Sequence, residues 1–590
     1  MIHVVPPVSA IRSAWIRDAL LALVVAAALS ASWAVSDWQD LRWLSLPDTD
    51  DMMRLAQVRD WLGGQAFHDL RQYRIAPPEG SPMHWSRLND LGVAALILVG
   101  DLFVDRPAAE LFAVIAYPLV LFFLYLLLSG RIARLMWSPR AAPAAIILAA
   151  IAAPATQLFS PGRIDHHALQ VITVQCVALY LLHRPRFLSG LAVGVAAAAS
   201  MGVGLETAPQ IGMLIAVAGL FWLIDGSRER ARLAGIGVGF FGATALLVLL
   251  MRPIYWSTAY CDGFTPASSS AALAIGLAAM GLALATHRLS TVWHRGLAGA
   301  GVAIALIAFV FIAYPTCLRG PYGTVSTFLI ENYIPNIREA KSVFALRPWP
   351  SIVANGGLMI AAAITSLWVM VRFPRRWRRW SPIVAVVLIS GAITSVQLRG
   401  IYIGLPLSAA LLAGLVTAAR RVRHFRLLAV LAAWMVSAGI GYTLLAGSLD
   451  RIRSSGAARA TVEVRGCKQG SAWRAIDGYP AGIMFTSTNH AAYVVGATRH
   501  ATVGAGYHRN DVANMDTYRF FLGPIEQAPT IARRWDARYV LYCPNDFREA
   551  GLTKRYPDSI AGMLGRGMTP PGLVRLPLRD TRFHLYRITP

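Results

Sequence analysis

Apolar runs of roughly 15–22 residues, separated by short polar turns, recur from near the N-terminus to about residue 447, the spacing of a chain that crosses a bilayer repeatedly as α-helices. The first run, 19–35, follows Arg12 and Arg17, which places the N-terminus inside. It lacks a convincing small-residue cleavage site and reads as an anchor rather than a removed signal peptide. A polar stretch, 36–90, opens a first outer loop that extends to about residue 107. The run 91–104 inside it is short and ends at Asp101 and Asp105, so it is expected to lie on the membrane face or dip into it. Further runs fall at 108–129, 142–159, 169–183, 186–203, 207–225, 233–251, 269–286, 296–314, 354–373, 382–398, 401–419 and 427–447. With the first they make about thirteen spans.

Charge tests that count. Alternation puts Arg131, Arg134 and Arg140 inside, then Arg184 and Arg186, then Arg228, Arg230 and Arg232, then Arg288 and Arg295, then the group from Arg372 to Arg379, then Arg420 to Arg426. Every expected inside loop is basic. Counting 91–104 as a span would put all of these groups outside. An odd number of spans sends residues 448–590 outside, a length that can hold its own core. Strand-like runs at Gly482–Thr486, Tyr539–Tyr542 and Phe583–Arg587 alternate there with a helix-like run at Pro524–Trp535. The expected fold class is therefore a membrane all-α unit over 1–447 followed by an extracytoplasmic α/β domain over 448–590. Only 15% of residues are charged and 56% are hydrophobic, against about 25% charged in soluble domains. The net charge of +24 follows from the inside arginines and does not point to nucleic acid. Arginine in excess of lysine suggests a high-GC bacterium, hence its inner membrane, with the terminal domain in the periplasm. Cys261 with Cys317, and Cys467 with Cys543, fall outside, where bridging is permitted; free thiols are equally compatible with the spacing.

The middles of the spans are almost free of charge, which counts against an ion-coupled transporter. Acidic and histidine residues gather in the outer loops instead. Asp48, Asp50 and Asp51 open a segment with apolar positions at Met52, Leu55, Val58 and Leu62, the period of an amphipathic helix lying on the membrane. Asp48 suits an N-cap; three carboxylates in four residues also suit a cation. The same loop carries Glu79 and His84-Trp85-Ser86-Arg87, able to line a sugar or headgroup site. Gly162-Arg163-Ile164-Asp165-His166-His167 is a short outer turn that offers ligands to a divalent ion. Glu206 sits at another outer turn, and Glu331, Arg338, Glu339 and Lys341 in a long outer loop at 315–353. Arg399, at an otherwise lean outer turn, breaks the charge trend and is suited to an anion such as phosphate.

The order of these features resembles the C-type glycosyltransferases, most closely the catalytic subunit of oligosaccharyltransferase, over the whole membrane part. Asp50-Asp51-Met52-Met53-Arg54 is similar to that family's first acidic motif. Asp165-His166-His167 resembles its Asp-x-Asp second motif, with His167 where the second Asp stands. Glu339 falls where the family has a mobile-loop Glu, and Arg399 with Tyr402 and Pro406 resembles the segment that holds the lipid phosphate. The Trp-Trp-Asp signature that reads Asn-x-Ser/Thr acceptors is missing; Arg534-Trp535-Asp536 is a partial echo. The resemblance implies a metal-dependent enzyme that moves a sugar or oligosaccharide from a polyprenyl-(pyro)phosphate donor to an extracytoplasmic glycan, lipid or protein acceptor. It implies Asp50, Asp51, Asp165 and Glu339 as catalytic groups, and Asp51, Asp165, His167 and Glu339 as ligands of Mg2+ or Mn2+. Arg54, His84, Arg87, Arg399, Tyr402 and His508, the last in the polar turn Tyr507-His508-Arg509-Asn510, are the expected substrate-binding residues. The competing readings are a transporter or flippase of lipid-linked sugars and a non-catalytic polysaccharide-assembly protein.

Overall fold

The computed structural model describes residues 8–258, 260–320, 322, 325–334, 337–453, 467, 469–544, 546–547, 551–579 and 581–589. The first apolar run forms α1, Val8–Ser36. The polar stretch after it folds as an outer layer with helices α2, Thr49–Leu62, and α3, Asp90–Gly100. With its 11 residues α3 spans about 16 Å, half a hydrocarbon core. Leu91, Leu98 and Val99 on it, and Leu102 and Phe103 just after it, are exposed, as expected of a segment against lipid rather than across it.

The chain then re-enters through α4, Arg106–Met136, whose first turn is capped by Asp105 accepting from the Ala108 backbone. Helices α5 (Ala142–Ala150), α6 (His167–Leu181), α7 (Phe187–Val203), α8 (Ala208–Asp225) and α9 (Arg230–Met251) follow. After them come α10 (Pro266–Ala285), α11 (Val292–Ala313), α12 (Pro350–Arg372), α13 (Trp377–Val396) and α14 (Gly400–Ala419). The last run breaks into α15 (Arg426–Ser437) and α16 (Gly439–Arg453), bent by 75°. Among the described residues nine helices are long and apolar enough to cross a membrane, or ten if the bent pair is one span. The runs behind α5, α6 and α7 form shorter apolar helices, so length and composition do not establish the expected thirteen.

The two ends of the bundle differ as the arginine pattern requires. Helices α6, α8, α10, α12 and α14 all begin at the end that carries the outer layer. The arginine groups fall at the opposite end, where Arg134 near the end of α4 pairs with Asp18 of α1.

The C-terminal domain is a mixed five-stranded sheet with strands β1 (Ile483–Thr486), β2 (Ala501–Thr502), β3 (Ala537–Tyr542), β4 (Leu573–Leu576) and β5 (His584–Ile588), in the order β2-β1-β3-β5-β4. β1 runs parallel to β2 and β3, whereas β5 is antiparallel to β3 and β4. The expected strands and the 524–535 helical run are all present, the latter as a 3-10 turn leading into Ala528–Arg534. Both cysteine pairs are bridged, Cys261–Cys317 and Cys467–Cys543, and Cys176 is free.

This domain sits on the outer layer and corrects one expectation. Residues Asp51 to Val58 of α2 are all buried, not laid on a membrane surface, because the domain covers the helix. Tyr493 donates to the Leu46 carbonyl at 3.0 Å and Arg59 to that of Gly496 at 2.6 Å. The loop strand at Arg74–Ala76 also pairs with Thr502, giving and receiving backbone hydrogen bonds of 2.9 and 2.8 Å.

Candidate functional site

The site is assembled where the first turn of α2 meets the turn before α6. Asp48 caps α2, its Oδ1 accepting from the Asp50 backbone at 3.3 Å and from the Thr49 hydroxyl at 3.0 Å. Asp51 Oδ1 accepts the backbone N–H groups of Ile164 and Asp165 at 2.8 and 2.9 Å. That clamps two loops separated by 113 positions in sequence. The clamp needs a tight turn. Gly162 has φ +87°, and a Cβ there would lie 2.9 Å from Pro47 Cδ, so glycine meets both demands.

Arg163 follows at once and faces the acidic group. Its Nη1 lies 3.0 Å from Asp48 Oδ2 and 3.2 Å from Asp51 Oδ2, and its Nη2 pairs with Asp165 Oδ2. Burial alone would raise the Asp165 carboxyl; the Arg163 charge, helped by His167 and His166, outweighs it and holds the group below its usual range. Asp165 Oδ1 accepts from the His167 backbone at 3.1 Å, starting α6. Next to it His166 Nε2 lies 3.3 Å from Glu206, and Gln170 donates to Glu206 at 2.7 Å.

A second charged group closes the site from α14. Tyr402 donates to Glu339 Oε1 at 2.7 Å, and Arg399 Nε lies 3.4 Å from Glu339 Oε2. The long loop is held there by the Leu398 N–H donating to the Lys341 carbonyl at 2.8 Å. The Tyr402 ring is also 5.0 Å from that of His167, so the two groups adjoin. Asp50 points among them without a hydrogen bond or ion pair on its carboxylate from the described residues. Burial, with the negative charges of Asp48, Asp165 and Glu339, pushes that carboxyl up to about 7. Thus Asp50, Asp51, Asp165, His167, Glu339, Arg399 and Tyr402 come together.

Other expected residues do not join them. Arg54 and Arg87 are each 1% exposed and bind the two oxygens of Asp90 at 2.8 and 3.1 Å. Arg87 also donates to the carbonyls of Gln57 and Asp69. They fasten α2 and the loop to α3, while Arg54 Nε and Nη2 have no hydrogen-bond partner among the described residues. His508 donates to Asp262 Oδ2 at 2.6 Å, and Arg509 grips the same carboxylate at 2.8–3.0 Å. His84 stands beside them, 5.5 Å from the His508 ring. The echo at Arg534-Trp535-Asp536 is structural, for Arg534 and Trp535 both bind Asp516.

Asp262 was not singled out by any motif, being isolated in its loop. Burial raises its carboxyl, but the His508 hydrogen bond and the Arg509 charge overcome this and hold it well below the ordinary range. A depressed carboxyl adds stability above its unfolded pKa of about 3.9 and loses it as pH falls through the folded value. Hydrogen exchange of residues 260–264 and 507–510 should therefore stay slow from neutrality to about pH 4 and accelerate only in stronger acid. Asp262→Asn should remove that dependence.

No group of three or more His, Cys, Asp or Glu among the described residues is arranged to hold a metal ion. The four expected ligands share one face, but Asp51 and Asp165 are engaged by Arg163. An apolar cavity of about 600 Å³ lies between α12, α14 and the bent pair, lined among others by Ile352, Ile364, Trp368, Leu415 and Tyr442.

A helical bundle with an acidic first outer loop, an acidic turn before α6 and a sheet domain seated over both is the fold of solved oligosaccharyltransferases. The chain superposes on archaeal oligosaccharyltransferase AglB from Archaeoglobus fulgidus, in complex with an inhibitory peptide and a dolichol-phosphate, with a TM-score of 0.69 at 13% identity, over 92% of this chain and 71% of that one. The oligosaccharyltransferase of that organism tethered to an acceptor peptide containing the NVT sequon gives 0.67 at 13% identity, over 97% and 74%. Its complex with Zn and sulfate gives 0.62 at 14% identity, over 96% and 73%. At such identities the likeness establishes the fold and not the substrate. No protein-family model and no curated protein matches the chain.

Proposed function

We infer that this protein transfers a sugar or oligosaccharide from a polyprenyl-phosphate or -pyrophosphate carrier to an acceptor on the extracytoplasmic face of a bacterial inner membrane. The observation that carries the reading is the unpaired Asp50 carboxylate held between Asp165, Glu339 and the Arg399 group at one end of an apolar bundle. A base with a pKa near neutrality is matched to taking a proton at working pH. The acceptor's nucleophilic atom attacks the anomeric carbon and its proton passes to Asp50. The bond from that carbon to the phosphate oxygen breaks, and its electron pair leaves on the phosphate. Arg399 exchanges its Glu339 contact for the phosphate oxygens, a charge-assisted pairing. The cavity beside α12 has the apolar walls a prenyl chain needs. Two bridged cysteine pairs on the side of the sheet domain fit an oxidising compartment, as expected of a periplasm.

A neighbour of the same fold was solved with Zn and sulfate. In this chain Asp48, Asp51 and Asp165 face Arg163, and no step is assigned to a metal. The test is release of prenyl phosphate by the purified protein from a mixture of polyprenyl-linked sugars, with a cell-envelope extract as acceptor. Wild type should release it, and Arg399→Ala should raise the KM for donor about 10–100-fold, the loss of a charged hydrogen bond. Movement of labelled donor across vesicles without release of prenyl phosphate would instead favour a flippase.

A further inference from the structure

We propose that Arg163 is the resident cation of this site, a covalently attached substitute for a divalent ion between Asp48, Asp51 and Asp165. Each of the three carboxylates divides its oxygens in the same way. One oxygen is used by local donors: Asp48 Oδ1 by Thr49 and the Asp50 backbone, Asp51 Oδ1 by the Ile164 and Asp165 backbones, Asp165 Oδ1 by the His167 backbone. The other oxygen of each converges on the Arg163 guanidinium. A metal would need those same three oxygens, at 2.0–2.6 Å for Mg2+ or Ca2+, and would stand against a fixed positive charge.

Chemistry favours arginine over lysine for the task. A guanidinium has five N–H donors in a rigid fork and stays charged, so it can address three carboxylates from one position. A lysine ammonium is a single point charge. The turn is also built to deliver it: Gly162 permits the left-handed step, the Arg163 N–H donates to the Ser160 carbonyl at 3.0 Å, and the clamp of Asp51 on the next two backbone amides fixes the turn. Arg163 thereby positions the two acidic motifs against each other, the task a shared metal ion performs in a bimotif carboxylate site. Asp50 is left as the carboxylate free to act. The proposal goes beyond the transferase reading and does not depend on it.

The experiment is metal binding by the purified full-length chain in detergent, after EDTA treatment and removal of the chelator. Mn2+ is titrated and followed by electron paramagnetic resonance, with thermal unfolding in parallel. Wild type should hold no Mn2+ that is lost in Asp165→Asn, and its melting temperature should be indifferent to EDTA. Arg163→Ala should bind Mn2+ at least about tenfold more tightly than wild type, and Mn2+ should raise its melting temperature. If Arg163→Ala does not accumulate, Arg163→Gln, closer in volume, takes its place, and the wild-type measurement decides by itself. A stoichiometric Mn2+ in wild type that disappears in Asp165→Asn, with melting lowered by EDTA, would overturn the proposal and show that Arg163 swings aside for a metal. Because these readouts are not turnover, an inactive preparation would bear on the transferase reading alone.

Discussion

Asp50→Asn should slow release of prenyl phosphate by about 100- to 10,000-fold, the range that a positioned proton acceptor contributes. Asparagine keeps the shape of the side chain and cannot take a proton. Nothing structural hangs on the Asp50 carboxylate, which has no partner among the described residues, whereas the Asp50 backbone keeps its bond to Asp48. The substitution should therefore leave the melting temperature and the donor KM near wild type while kcat falls. That separation distinguishes chemistry from folding. A rate close to wild type would remove Asp50 from the reaction and move the base to Glu339 or His167.

The second large effect is on stability. Asp90→Ala should cost about 3–5 kcal/mol, the range for leaving a buried charge without its partner. Here two guanidinium groups, those of Arg54 and Arg87, are abandoned at 1% exposure. That loss is a large fraction of the stability of a typical domain, so thermal unfolding in detergent should begin well below wild type. Replacing Arg54, Arg87 and Asp90 together by leucine should recover part of it, since buried ionic clusters are often replaceable by packed apolar ones. An unchanged melting temperature for Asp90→Ala would mean that water or another carboxylate reaches the arginines.

These two aspartates mark where a linear reading works and where it stops. Apolar runs revealed the helical bundle and the short α3, because lipid acts on each segment separately. The strand-like runs showed the sheet because each is a short, locally patterned segment. The acidic motifs were readable as local composition, and the structure brings Asp50, Asp51, Asp165 and Glu339 to one face. Partnership was not readable. Arg54 closes the first acidic motif and Arg87 follows His84 and Trp85 in the sequence, so both looked like ligand residues. Their common partner Asp90 is 36 positions from Arg54 and marked only the end of a polar stretch. Asp262 meets Arg509 across 247 positions, with no spacing to betray it. Arg163 was visible inside the motif, but a search for metal ligands values the carboxylates and passes over the cation among them.

The backbone pairing of Arg74–Ala76 with Thr502 concerns synthesis as well as shape. β2 is the edge of its sheet, and an uncovered edge invites pairing with another chain. The segment that covers it leaves the ribosome more than four hundred residues earlier. Until residue 502 has been made, that loop lacks the partner for Arg74–Ala76. A chain released before residue 502 would keep Arg74–Ala76 without its partner, an open site for pairing with another chain.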